Sequence, residues 1–174
     1  WLPQIDWSGA GEGYVESEFP IFPYLVGQLY KIFGIHEFLG RSLSIVFSLL
    51  TIFLVIRIGT FLLDEVSGWW GGLFFALLPL NVYYGRAFQA ESLLILLSAL
   101  SIERLIVWKI ESNKLAVFFS WISFSFACLI KLLPIVWLGL PLILIQLHNK
   151  EVHQSIPLRK LIARFIYQLR LPVP

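Results

Sequence analysis

A succession of apolar runs, none carrying more than two charges, constrains this chain more than any single motif in it. Ser42–Leu63 is broken only by Arg57 near its far end; Trp69–Gly85, Ser92–Trp108, Leu115–Ile130 and Leu132–Leu147 follow after short polar turns. At about 1.5 Å per residue, a helix over Ser42–Leu63 is long enough to cross a bilayer core of about 30 Å. Apolar residues make up 58% of the 174 and charged residues only 14%, where a soluble domain would carry far more charge. The predicted fold class is therefore all-α: a polytopic transmembrane helical bundle, with about five spans over residues 35–147. A net charge of +2, spread thinly between hydrophobic runs, is not the footprint of a nucleic-acid binder. Cys128 is the lone cysteine and lies inside an apolar run, so it closes no internal disulfide and reads as a small packing residue.

The segment Pro20–Gly34 begins with a proline and ends with a glycine, as a helix does. As a helix it is roughly 22 Å long, short for a span. Its polar positions Gly27, Gln28 and Lys31 fall on one face. These features predict a juxtamembrane helix lying in the interface, the alternative being a short span. Before it, residues 1–19 read as an irregular external loop, with Trp1 and Trp7 suited to headgroup level. Its glycines do not fit GxGxxG, so no phosphate loop is expected.

Further along, Pro79 should kink the 69–85 helix near its exit, and Gly71 and Gly72 should allow close helix packing. Glu103 and Arg104 are expected to snorkel or pair with neighbours. Lys131 is the one charge in some thirty apolar residues; at mid-membrane it would cost roughly 3 kcal/mol, so it needs an interface or a partner. Residues 148–174 read as a cytoplasmic loop and the start of an amphipathic surface helix, LRKLIARFIYQLR. His148 and His153 have no companions at metal-ligand spacing. With no Met anywhere, the chain is expected to be a fragment of a longer one.

If Pro20–Gly34 lies flat, nine of the thirteen Lys and Arg share the side of Asp64, Lys109–Lys114 and His148–Arg170, which the positive-inside rule makes cytoplasmic. The outer side then gathers Lys31, Arg41, Arg86 and Lys131 with Asp6, Glu12, Glu16, Glu18, Glu37 and Glu91. Cations facing carboxylates at a membrane boundary suit a lipid-borne phosphate substrate. The cations would hold the phosphate as charge builds on it; a carboxylate would take the proton of an incoming hydroxyl. Transfer in one step would invert the sugar carbon. Arg86 and Glu91, five residues apart beside Tyr83 and Tyr84, could equally form a mutual ion pair, and the tyrosines could be interfacial anchors.

The order ESEFPIFPYLVGQLYKIFGIHEFLGR, an apolar span, then ALLPLNVYYGRAFQAESLLI resembles the GT-C-type membrane glycosyltransferases, closest to the group of protein O-mannosyltransferases and the bacterial lipid A aminoarabinose transferase. The similarity covers roughly Glu16–Lys131. Glu18 and Pro20 match the acidic residue and proline opening a juxtamembrane helix, with Phe19 where some members have lysine. Arg41 matches an arginine after the turn, and Lys131 a lysine at the outer end of a later span. Arg86 and Glu91 match an external stretch where relatives often place an aspartate. The resemblance implies sugar transfer from a polyprenyl-phosphate sugar to a protein, lipid or glycan acceptor on the outer face of a membrane, expected to be a bacterial plasma membrane. It also implies a first span and an acidic motif before Trp1. The resulting candidates are Glu18 and Glu91 as catalytic carboxylates, and Arg41, Arg86, Lys131 and Tyr84 for substrate. Glu18 would organise the acceptor, Arg86 and Lys131 would hold the donor phosphate, and Glu91 would support Arg86 or the acceptor. No metal ligands are assigned, and a divalent metal is left open as cofactor. The rival readings are a transporter or flippase for a lipid-linked or anionic solute, and a scaffold without chemistry.

Overall fold

The computed structural model describes residues 4–5, 13–14 and 19–147. The opening loop is not wholly irregular: β1 (Gln4–Ile5) pairs antiparallel with β2 (Gly13–Tyr14). Everything else that is described and regular is helical.

Helix α1 (Ile21–Phe33) starts after Pro20 and stops at Gly34, whose φ of 85° is a conformation glycine adopts readily. It buries Phe22 and Val26 and leaves Lys31 exposed, and a side chain at Gly27 would meet nothing within 4 Å. The apolar face predicted from the sequence is the packed one.

Helix α2 (Glu37–Leu62) begins before the apolar run itself and is about 39 Å long. Three of its hydroxyls bond back within the helix: Ser44 Oγ donates to Gly40 O (3.3 Å), Thr51 Oγ1 to Phe47 O (2.8 Å) and Thr60 Oγ1 to Ile56 O (2.9 Å). It is the one described helix long and apolar enough by itself to cross a membrane. Asp64 caps α3 (Glu65–Leu77) by accepting a hydrogen bond from Ser67 N (2.7 Å).

The hairpin of α2 and α3 closes on small residues. A Cβ at Gly59 would sit 2.8 Å from Gly68 Cα, and one at Gly68 would sit 2.6 Å from Ile56 O. Gly72 lies against Ile56 as expected, but Gly71 only faces Val55 at 4.0 Å. The glycines that matter most were thus not all in the GG pair.

The expected kink at Pro79 is a complete break. Leu78 is extended (ψ 122°), as the residue before a proline prefers, and a separate helix α4 (Pro79–Arg86) follows. Residues 87–90 lead to α5 (Glu91–Glu111). Ser112 turns the chain in a left-handed conformation (φ 53°), and Asn113 caps α6 (Lys114–Ile130). Ser120 Oγ donates to Ser101 O (2.7 Å), fixing the α5–α6 register. The last expected span, 132–147, is divided into α7 (Leu133–Trp137) and α8 (Gly139–Leu147).

Two hydrophobic clusters define the ends of the bundle. One joins Phe22 and Val26 of α1 to Ala90, Leu93 and Leu94 beside the start of α5 and to Ala127 and Ile130 at the end of α6. The other joins Phe61 of α2 to Ile106 and Val107 of α5 and Ala116 of α6. So α2 and α5 run from the first end to the second, and α6 runs back.

Candidate functional site

At the first end, four helix ends, those of α2, α4, α5 and α6, carry charges. Lys131 ends α6 directly across the hairpin from Glu91, the first residue of α5, and its Nζ donates to Glu91 Oε1 at 2.5 Å. Both side chains are about a quarter exposed, 27% and 22%. The lone cation of the apolar stretch therefore has its partner. This corrects two expectations: Glu91 makes no ion pair with Arg86 among the described residues, and its ionic support goes to Lys131. The reason is helical direction. Arg86 closes α4 while Glu91 opens the next helix, and four non-helical residues separate them.

Arg86 instead shares a cleft with Arg41. Both line one open cleft of about 480 Å³ with Tyr83, Ala87 and Phe88. Arg41 reaches it from the first turn of α2, where its Nη2 also lies 2.5 Å from Glu37 Oε1, an exposed i,i+4 pair at 58% and 71% exposure. Such a pair is weakly held and screened by salt, so Arg41 can exchange it for a better anion. Two arginines lining one cleft place like charges near each other, an arrangement that an anionic phosphate between them would offset.

Tyr84 does not join that cleft. It lines a separate apolar cavity of about 170 Å³ between α2, α3, α4 and α5, with Ser48, Thr51, Asn81, Ser92 and Arg86 among its walls. Arg86 alone borders both spaces. Tyr83, read from the sequence only as an anchor, is the tyrosine in the arginine cleft, edge-on to Tyr84 at 5.2 Å between ring centres.

Glu18 lies outside the described residues, as do Asp6, Glu12, Glu16, His148, His153 and the amphipathic run of residues 158–170. Among the described residues no group of three or more His, Cys, Asp or Glu comes together to hold a metal.

Charges also gather at the second end, but into a closed cluster. Glu103 is fully buried, with Arg57 Nη2 at 2.7 Å from its Oε1 and Arg104 Nε at 2.5 Å from its Oε2. Arg57 is flanked by the rings of Phe53 and Phe61. The pairing expected for Glu103 and Arg104 is present. The participation of Arg57 was not expected, because it depends on α2 packing beside α5. Between the two charged ends, the described parts of the helices carry no ionisable Asp, Glu, Lys or Arg.

These features define a predominantly helical protein built for an apolar surround, with a cation-lined, open cleft at one end and a largely buried ionic cluster at the other. Residues 17–169 match the family profile of the dolichyl-phosphate-mannose-protein mannosyltransferases, and the chain belongs to that family. The family is membrane-integral and consists of glycosyltransferases that draw on polyprenyl-phosphate-sugar donors. No curated protein and no solved structure matches the chain.

Proposed function

We propose that this chain forms the donor-binding part of a multi-pass glycosyltransferase, acting on the outer face of a plasma membrane, bacterial by its resemblance to the lipid A transferase. The donor is a polyprenyl-phosphate sugar, mannose by the family's name, and the acceptor a hydroxyl of a protein, lipid or glycan. The observation that carries this reading is the convergence of Arg41 and Arg86, from different helices, on one open cleft at the bundle end that also holds the Glu91–Lys131 pair. Helix α1 packs at that same end, which supports its lying in the interface.

In the proposed step, an acceptor hydroxyl oxygen bonds to the anomeric carbon as the bond from that carbon to the phosphate oxygen breaks. The hydroxyl proton passes to a carboxylate, while Glu18 is the candidate for orienting the acceptor. The departing phosphate gains charge, and the guanidinium groups of Arg41 and Arg86, with Lys131, stabilise it. Glu91 is a positioning residue: it holds the Lys131 ammonium at the cleft end of α6. The configuration at the sugar carbon inverts.

A transporter would need polar groups along its length, and the absence of charge between the two ends of the described helices argues against it. The test is turnover of radiolabelled polyprenyl-phosphate mannose by membranes holding the intact protein. Loss of an anion-holding guanidinium should lower turnover by roughly a hundredfold in Arg86→Ala. No consumption of any polyprenyl-phosphate sugar by the intact protein would sink the reading; facilitated passage of a lipid-linked sugar between leaflets without transfer would favour the transporter.

A further inference from the structure

The short connection of residues 87–90 joins Arg86 to Glu91; its last residue, Ala90, is buried in the first hydrophobic cluster, but residues 87–89 are held less firmly. Ala87 is extended, Gln89 N donates only to Ala87 O (2.9 Å), and Ala90 offers no side-chain cap to α5. Its middle rests on the half-exposed ring of Phe88. That ring lies on the bare backbone of Gly40 in α2, where any Cβ would overlap it. It also stands edge-on to Phe22 of α1, with ring centres 5.7 Å apart. Phe22 in turn is almost completely buried and packs edge-on against Phe47 of α2 at 6.4 Å.

Gly40 immediately precedes Arg41, and Phe88 follows Arg86 by two residues. Bringing the ring onto Gly40 therefore brings the two arginines to the same cleft, which Phe88 itself lines. A second small residue helps from below: Gly85 lets α4 approach α2, since a Cβ there would be 2.7 Å from Ser48 Oγ. Glycine at position 40 has no conformational reason to exist, because the backbone there is ordinary helix and glycine weakens a helix. Its use is the space it leaves.

We propose that Gly40 and Phe88 are positioning residues for the donor phosphate: the ring-on-glycine contact, braced by Phe22, sets the gap between Arg41 and Arg86. This rests on the phosphate-binding reading of that cleft. In Gly40→Ala the methyl group pushes the ring and its loop away from α2, so Arg86 moves relative to Arg41. An error of about 1 Å in such a site costs up to roughly a hundredfold.

The experiment is donor-dependent kinetics in membranes containing the intact protein, normalised to the amount of folded enzyme. Gly40→Ala should raise the donor KM by roughly tenfold with a smaller change in kcat, the signature of lost ground-state and transition-state binding alike. Gly40→Ala combined with Phe88→Leu should recover much of that loss, because the smaller side chain clears the new methyl group. A purely structural contact would lower the amount of folded enzyme and leave the donor KM untouched. Phe88→Leu alone, which adds no atoms, decides the matter should Gly40→Ala fail to fold: an unchanged donor KM overturns the proposal. Arg41→Ala and Arg86→Ala separate the two levels. If they spare both the donor KM and kcat, the phosphate site is wrong and the positioning role falls with it; if they lower donor kcat/KM while the Gly40 and Phe88 variants do not, only the positioning role is lost.

Discussion

Replacing Glu103 by alanine should be among the most damaging single changes to the bundle, although it lies at the end away from the arginine cleft. Its carboxylate is completely buried and is shared by Arg57 and Arg104 through contacts of 2.5–2.9 Å. Arg57 has only 14% of its side chain exposed, and its Nε is already buried without a partner. Removing Glu103 thus strands a guanidinium between two phenyl rings. Breaking a buried pair from one side costs about 3–5 kcal/mol, because the remaining charge stays desolvated. At the lower figure the unfolding constant rises by roughly a hundredfold or more.

Arg104→Ala should cost less, since Arg104 is the more exposed guanidinium and leaves the Arg57–Glu103 contact in place. Removing both charges of the inner pair, as in Arg57→Leu with Glu103→Leu, should return most of the stability, as replacement of a buried pair by apolar groups often does. Unfolding of the purified protein by SDS titration in mixed micelles measures all three. The donor KM of the Glu103→Ala protein that remains folded should be unchanged. A Glu103→Ala loss below about 1 kcal/mol, or a double variant no better than the single, would refute the buried-lock account.

Three other outcomes follow from the same geometry. Lys131→Gln should lower sugar turnover, and Glu91→Gln should lower it less, because it loosens the ammonium without removing it; radiolabelled donor turnover checks both. Gly68→Ala should destabilise the α2–α3 hairpin by about 1–3 kcal/mol, read by SDS titration, since its methyl group would enter the space of Ile56 O. Hydrogen bonds from the Ser67 hydroxyl and backbone N–H hold the Asp64 carboxyl below its ordinary value of 3.8. A carboxyl depressed in the folded state lends its stability in full above that ordinary value, and the contribution fades as pH falls through the lowered one. Protection of the first amides of α3 against hydrogen exchange, taken relative to the intrinsic rate at each pH, should therefore fall over that acid range, and Asp64→Asn should remove that fall.

The helices and their apolar faces were legible in the residues. Pro20 and Gly34 bound α1 where expected, and the spacing of its polar positions pointed to the face that stays unpacked. The need of Lys131 for a partner was also legible, because an isolated ammonium in an apolar stretch is too costly to leave unmet. The identity of that partner was not. Arg86 is nearer to Glu91 along the chain than Lys131 is, yet an antiparallel hairpin sets the two distant residues opposite each other. Pro79 was visible as an interruption, but its full effect depended on Leu78 adopting the extended conformation.

By itself, then, the sequence determined a helical, membrane-compatible chain, its turns, its resemblance to sugar transferases and the set of charges too expensive to leave alone. Those are consequences of local spacing and of the cost of putting charge in an apolar medium. Which charges meet was settled only by tertiary structure: Glu91 with Lys131, Arg57 with Glu103, Arg41 with Arg86 across a cleft. Such meetings depend on how closely and in what register helix backbones approach, and that is fixed by absent side chains at Gly40, Gly59, Gly68 and Gly85, whose meaning no stretch of sequence carries without its neighbour in space.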